Sequence, residues 1–160
     1  MSRICCFTGH REIKDEYILR LPEMLDSLLD KLIAKNVTIF RAGGARGFDT
    51  LCALKVLEKK KSNPDIRLEL CLPCRDQTQN WGNQDAAVYN YILSHADAVS
   101  YAYENYTKGC MFKRNRMLVD GADICVAFCS SDRGGSAYTV SYAEQIGVPT
   151  VNLFDKFTRN

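Results

Sequence analysis

Four short stretches place arginine, and in three cases glycine, where an apolar run gives way to a polar turn. They are Thr8-Gly9-His10-Arg11, Gly43-Gly44-Ala45-Arg46-Gly47-Phe48-Asp49, Pro73-Cys74-Arg75-Asp76-Gln77 and Asp132-Arg133-Gly134-Gly135-Ser136. Glycine leaves backbone N–H groups unshielded by a Cβ, and arginine adds two parallel donors in a planar fork. Together they suit a phosphate better than either residue alone. Where such a turn opens a helix, the unpaired N–H groups of the first turn and the positive end of the helix dipole complete an anion cradle. One glycine turn only relieves backbone strain; the recurrence is what points to an anion.

A basic helical start, Met111-Phe112-Lys113-Arg114-Asn115-Arg116, adds Arg114 and Asn115, and Gly109 lets the preceding loop approach the same edge. The candidate ligand-binding residues read this way are Gly9, Arg11, Gly43, Gly44, Arg46, Gly47, Asp49, Arg114, Asn115, Gly134, Gly135 and Ser136. Asp49 has two readings, a side-chain cap on the helix it opens or a partner for a ribose hydroxyl. Gly43 to Gly47 spells G-G-x-x-G, neither the dinucleotide fingerprint nor a Walker loop, which disfavours ATP hydrolysis and ordinary NAD chemistry. No cofactor is expected, and no residue is assigned a catalytic role. A metal site is not expected either, because Cys71 and Cys74 form a single CxxC and the two histidines, His10 and His95, lie far from it in sequence.

The elements that must position these turns alternate along the chain. Arg3 to Phe7, Val37 to Ala42, Leu68 to Leu72, Ala98 to Tyr101, Ile124 to Cys129 and Pro149 to Leu153 read as strands. Helical spacing covers Tyr17 to Lys35 (beginning near Pro22), Phe48 to Lys61, Asp85 to His95, Met111 to Asp120 and Thr139 to Ile146. Strand and helix in alternation imply a doubly wound, mostly parallel sheet with helices on both faces, a Rossmann-like α/β fold. Ligands bind such sheets beyond the carboxyl ends of the strands, where the strand order reverses.

With 160 residues and 46% hydrophobic content, one domain spanning 1–160 is expected. The net charge of +2 argues against a general nucleic-acid or membrane-surface binder, so any anion recognition is local. No apolar run approaches the length of a membrane span and the start MSRICCFTGHR lacks a secretory pattern, so a cytoplasmic protein with reduced, largely core cysteines is expected. Tyr101, Tyr103 and Tyr106 are candidates for stacking on bases, though aromatics beside a strand more often pack or form a subunit interface.

The segments CCFTGHR, GGARGFDTLCA, PCRDQ with Trp81 beyond it, KRNRMLVDGAD and GGSAYTVSYA occur in an order and spacing that resemble the YpsA-like branch of the SLOG superfamily. That superfamily includes the DNA-processing protein DprA and the LOG cytokinin-activating enzymes. The resemblance implies a Rossmann-like fold, a nucleotide or nucleotide-derived ligand and a homo-oligomer. It also offers two alternatives, a LOG-type nucleoside-monophosphate phosphoribohydrolase and single-stranded DNA binding of the DprA kind. LOG enzymes use an arginine in an R-K motif and a glutamate in P-G-G-x-G-T-x-x-E. Arg114 matches that arginine, with Asn115 in place of the lysine, and Gly134-Gly135 with Thr139 match the glycine motif apart from one inserted residue, which adds Thr139 to the candidate ligand contacts. Tyr142 stands where the glutamate is needed, and Glu144 lies on a different helical azimuth.

Overall fold

A computed structural model describes residues 2–130 and 133–158. Six strands, β1 (Arg3–Gly9), β2 (Val37–Ala42), β3 (Arg67–Leu72), β4 (Ala98–Tyr101), β5 (Ile124–Phe128) and β6 (Thr150–Asn152), pair in the order β4-β3-β2-β1-β5-β6. Every pairing is parallel. The expected Rossmann-like α/β sheet is therefore the observed one. From β1 the chain moves outward through β2 and β3 to β4, then crosses back to place β5 on the other flank of β1. The order reverses between β1 and β5, where Gly9 pairs with Phe128 at the carboxyl ends of both strands.

Helices α1 (Arg20–Ala34), α2 (Phe48–Lys60) and α3 (Asn83–His95) pack side by side along one face, and α4 (Cys110–Val119) and α5 (Gly135–Gln145) pair on the other. Pro22 falls in the first turn of α1, where its missing N–H costs nothing. Leu21, Leu25, Leu29 and Leu32 recur at helical spacing and make the buried stripe of that helix. The α1–α3 side is built on large side chains, with Phe7 stacked on Phe40 and Phe48 on Phe128 at centroid separations of 6.0 and 5.9 Å. The α4–α5 side is thin and uses Cys6, Cys71, Cys125, Ala143, Leu118 and Val119. All eight cysteines are buried.

Two elements differ from expectation. Helix α5 starts at Gly135, four residues before Thr139, because Gly134 at φ 95° turns the chain directly into the helix and Ser136 and Ala137 continue it. A short helix, α6 (Asp155–Thr158), follows β6; its Phe157 packs edge-on to Tyr17 at 4.9 Å. Among the described residues no helix is long and apolar enough to cross a membrane.

Phe40, fully buried at the centre of the sheet, supplies a direct check on the core: Phe40→Ala is expected to lower unfolding stability by about 3–5 kcal/mol in urea titration.

Candidate functional site

The first two turns are built against each other. The Phe48 N–H, first in α2, donates to the His10 carbonyl at 3.0 Å. A Cβ on Gly47 would lie 2.4 Å from the Arg11 carbonyl oxygen, and φ at Gly47 is 77°, so both space and backbone conformation require glycine there. A Cβ on Gly9 would lie 2.5 Å from the Phe48 ring. These glycines let two loops meet. The amino end of α2 is in consequence partly occupied by protein.

The amino end of α5 is arranged differently. Gly134 caps it without a side-chain hydrogen bond, and its carbonyl accepts from Tyr138 N–H at 3.0 Å. Among the described residues no protein acceptor faces the N–H groups of Gly135, Ser136 and Ala137. The preceding loop is held to the β1 turn: Ser130 N–H donates to His10 Nε2 at 2.8 Å, and His10 N–H donates to the Phe128 carbonyl at 3.2 Å. Asp132 of this turn lies outside the described residues.

Between the two helix ends stands α4. Arg114 is 7% exposed, its Nε donates to Asn115 Oδ1 at 2.8 Å and its Nη1 to the Gly43 carbonyl. Among the described residues the hydrogen bond of Nη2 is to the Met111 sulfur at 3.8 Å. Asn115 in turn donates to the Gly135 carbonyl at 3.4 Å, tying α4 to the start of α5. A Cβ on Gly43 would lie 2.8 Å from Arg114 Nη1 and 2.9 Å from Asp49 Oδ2, so this glycine makes room for both charged groups. Asp49 Oδ2 accepts from Ala45 N–H at 3.2 Å. Burial pushes the Asp49 carboxyl up to about 6, outweighing the opposing pull of Arg114 and the backbone donors. Burial likewise lowers Arg114, while Asp49 holds it up.

These groups surround one cavity of about 520 Å³ at the β1/β5 reversal. Gly9, Arg11, Arg46, Asp49, Arg114 and Asn115 line it, together with Gly134, Gly135 and Ser136. Gly43, Gly44, Gly47 and Thr139 do not. Gly44 packs against Leu72, which a Cβ would approach to 2.3 Å. Thr139 is fully buried and donates to the Gly135 carbonyl at 2.9 Å within its own helix. Three of the four turn arginines, Arg11, Arg46 and Arg133, reach the cavity; Arg75 turns away to Glu104 at 2.6 Å and over the Tyr101 ring at 4.2 Å.

The third turn contributes Gln77 and Trp81 in place of its arginine. Trp81 stands under Arg46, whose Cζ is 5.5 Å from the ring centroid, and edge-on to Tyr89. His10 and Phe112 are further lining residues that the sequence reading did not select. The signal for His10 and Gln77 was their place in the turns themselves, whereas nothing local marked Phe112. Among the described residues no group of three or more His, Cys, Asp or Glu is close enough to hold a metal ion.

The profile of the YspA SLOG family matches residues 5–148. The chain belongs to the YpsA family of SLOG proteins. A UPF0398 protein of Bacillus pumilus (strain SAFR-032) is 28% identical over 152 residues, covering 89% of this chain and 82% of the relative. Another from Bacillus cereus (strain B4264) is 30% identical over 107 residues, covering 65% of this chain, and the match spans 58% of that relative's length. In fold, the chain is similar to DprA from Streptococcus pneumoniae, with TM-score 0.69 at 16% identity over 92% of this chain and 49% of that one. DprA from Helicobacter pylori gives TM-score 0.67 at 17% identity over 92% of this chain and 63% of that one. The Helicobacter pylori protein is described by its single-stranded DNA binding mode, so the comparisons lend no support to the expectation against nucleic acid.

Two outcomes follow from the site's construction. Gly47→Ala combines positive φ with a backbone collision and is expected to cost more than about 2 kcal/mol in urea unfolding. The Asp49 side-chain carboxyl, followed by carbon NMR, is expected to titrate near pH 6. Because its folded value lies above the ordinary one, its contribution to stability is greatest in acid and is lost as pH rises from about 4 to about 6. Asp49→Asn removes that component of the stability–pH profile.

Proposed function

We propose that the cavity binds a nucleotide or nucleotide-derived ligand, with its phosphate on the first turn of α5. The observation that carries this reading is the convergence on one cavity of the open N–H groups of Gly135 and Ser136 and the side chains of Arg11, Arg46 and Arg133. Backbone donors, helix dipole and guanidinium groups then act on the same anion. Arg114 keeps Asp49 and Asn115 in place. Asp49, Gln77 and Trp81 form the wall suited to the sugar and base, since a buried carboxyl accepts from hydroxyls and an indole face stacks on a flat ring.

Binding alone is favoured over LOG-type hydrolysis by the fate of Tyr142. It occupies the position where LOG enzymes carry glutamate, and its hydroxyl donates to Asp120 at 2.5 Å, away from the cavity. Asp49 is the only carboxylate among the described lining residues. Asp76, the carboxylate of the third turn, accepts from Tyr106 N–H at 3.0 Å and does not line the cavity.

Single-stranded DNA binding is a second reading, favoured by the fold shared with DprA and by the exposed rings of Tyr106 and Phe112, 68% and 48% accessible. Tyr101 and Tyr103 are less suited to stacking on bases, being covered by Arg75 and by Lys113 at 4.3 Å.

Trp81 is the only tryptophan in the chain, so its fluorescence reports on the cavity. Titration with nucleoside monophosphates, dinucleotides and ADP-ribose is expected to give a saturable change for at least one of them, with affinity reduced about tenfold in Arg11→Ala. Release of free base that is lost in Asp49→Asn would move the reading to hydrolysis. Salt-dependent oligonucleotide binding, with no response to any nucleotide, would move it to DNA.

A further inference from the structure

We propose that His10 is a positioning residue that pins the anion-binding turn in place through a neutral imidazole, and that protonating this ring releases the turn. The inference rests on the nucleotide-binding reading for its functional consequence, but the pin itself does not.

His10 is where three site loops meet. Its N–H extends the β1–β5 pairing to Phe128, its carbonyl accepts the first N–H of α2, and its side chain holds Ser130, the last described residue before the α5 turn resumes at Arg133. A backbone N–H can only donate. The 2.8 Å contact from Ser130 N to Nε2 therefore fixes Nε2 as an acceptor and puts the ring proton on Nδ1. The Ser130 hydroxyl, also 2.8 Å from Nε2, converges on the same nitrogen. Adding a proton to Nε2 removes the acceptor for the Ser130 N–H and leaves the ring only the Ser130 hydroxyl, which would have to turn and accept, so the backbone half of the link from His10 to the turn is lost.

The surroundings hold the ring neutral near pH 7. Burial of the imidazole, then Lys14, lowers its pKa below the ordinary histidine value. The ring packs edge-on to Phe128 at 6.0 Å. Around the same cavity, Arg11 stands on the His10 turn, Arg46 and Asp49 at the start of α2, Arg114 on α4 and Arg133 before α5. Four of those five groups are cationic, and an imidazolium would join them with Asp49 as its one described counter-charge. Acid therefore acts on the turn through a broken hydrogen bond among like charges. Gly134, Gly135 and Ser136, which carry the proposed phosphate donors, lie just beyond the pinned residue.

The chain has two histidines, which makes the test direct by nitrogen and carbon NMR of the imidazole rings. The expected result is a His10 ring protonated on Nδ1 at about pH 7.5, titrating below the ordinary midpoint of about 6.5, with the Ser130, Gly134 and Gly135 amide signals shifting at the same midpoint. In His10→Gln, whose side-chain oxygen can still accept from Ser130, the acid-linked amide shifts should vanish. A proton on Nε2, or amide signals indifferent to the His10 titration, would overturn the proposal.

Sulfate, whose charge is constant over this range, supplies the functional arm through Trp81 fluorescence. In Asp49→Asn, which removes the other cavity group that titrates near pH 6, the affinity for sulfate is expected to fall about fivefold between about pH 7.5 and pH 5.5, the equivalent of one ordinary hydrogen bond, and to lose that pH dependence when His10→Gln is added. Affinity that rises in acid would also overturn the proposal. NMR signatures of the pin without sulfate binding at either pH would support the pin and count against the anion reading alone.

Discussion

The site depends on the hydrogen bond from Phe48 N–H to the His10 carbonyl. It can form only because Gly9 and Gly47 carry no Cβ, and it brings the loop after β1 against the start of α2. Once these two loops touch, the amino end of α2 is partly filled, and the start of α5, across the strand-order reversal, is the one proposed to take the anion. One close backbone contact thus decides which of the two glycine-led helix starts flanking the β1/β5 edge, α2 or α5, is left open.

The charged groups obey the same constraint. Arg114 and Asp49 are almost completely buried, a costly arrangement unless each has partners. Gly43 supplies the space and the carbonyl for Arg114, Ala45 the N–H for Asp49, and Asn115 links the pair to α5. The outer arginines, Arg11, Arg46 and Arg133, are exposed and line the cavity from three different loops, Arg46 held 3.9 Å from Asp85. A rigid inner shell and a solvated outer one divide the work: the first fixes shape, and the second supplies charge.

Much of this was legible in the sequence because it is local. The alternation of strand and helix, and the recurrence of glycine and arginine after strands, follow from backbone periodicity and turn chemistry, and they point to the sheet edge where the cavity lies. What was not legible depends on contacts between distant segments. Gly43, Gly44 and Gly47 looked like ligand contacts, but they serve packing against Arg114, Leu72 and the His10–Arg11 backbone. Arg75 sits in a turn like the others, yet Glu104 and Tyr101 draw it away. Thr139 seemed to open a helix that in fact begins at Gly135, and so it is buried within the second turn. Trp81 and Gln77 enter only because the third loop runs on past β3 before α3 begins.

The most direct measurement is a crystal structure of the protein with a bound nucleotide, chosen from whichever ligand alters Trp81 fluorescence. The account predicts phosphate oxygens within hydrogen-bond distance of the Gly135, Ser136 or Ala137 N–H groups, with the base against Trp81. A phosphate seated instead at the start of α2, or a ligand bound outside the cavity between β1 and β5, would contradict it.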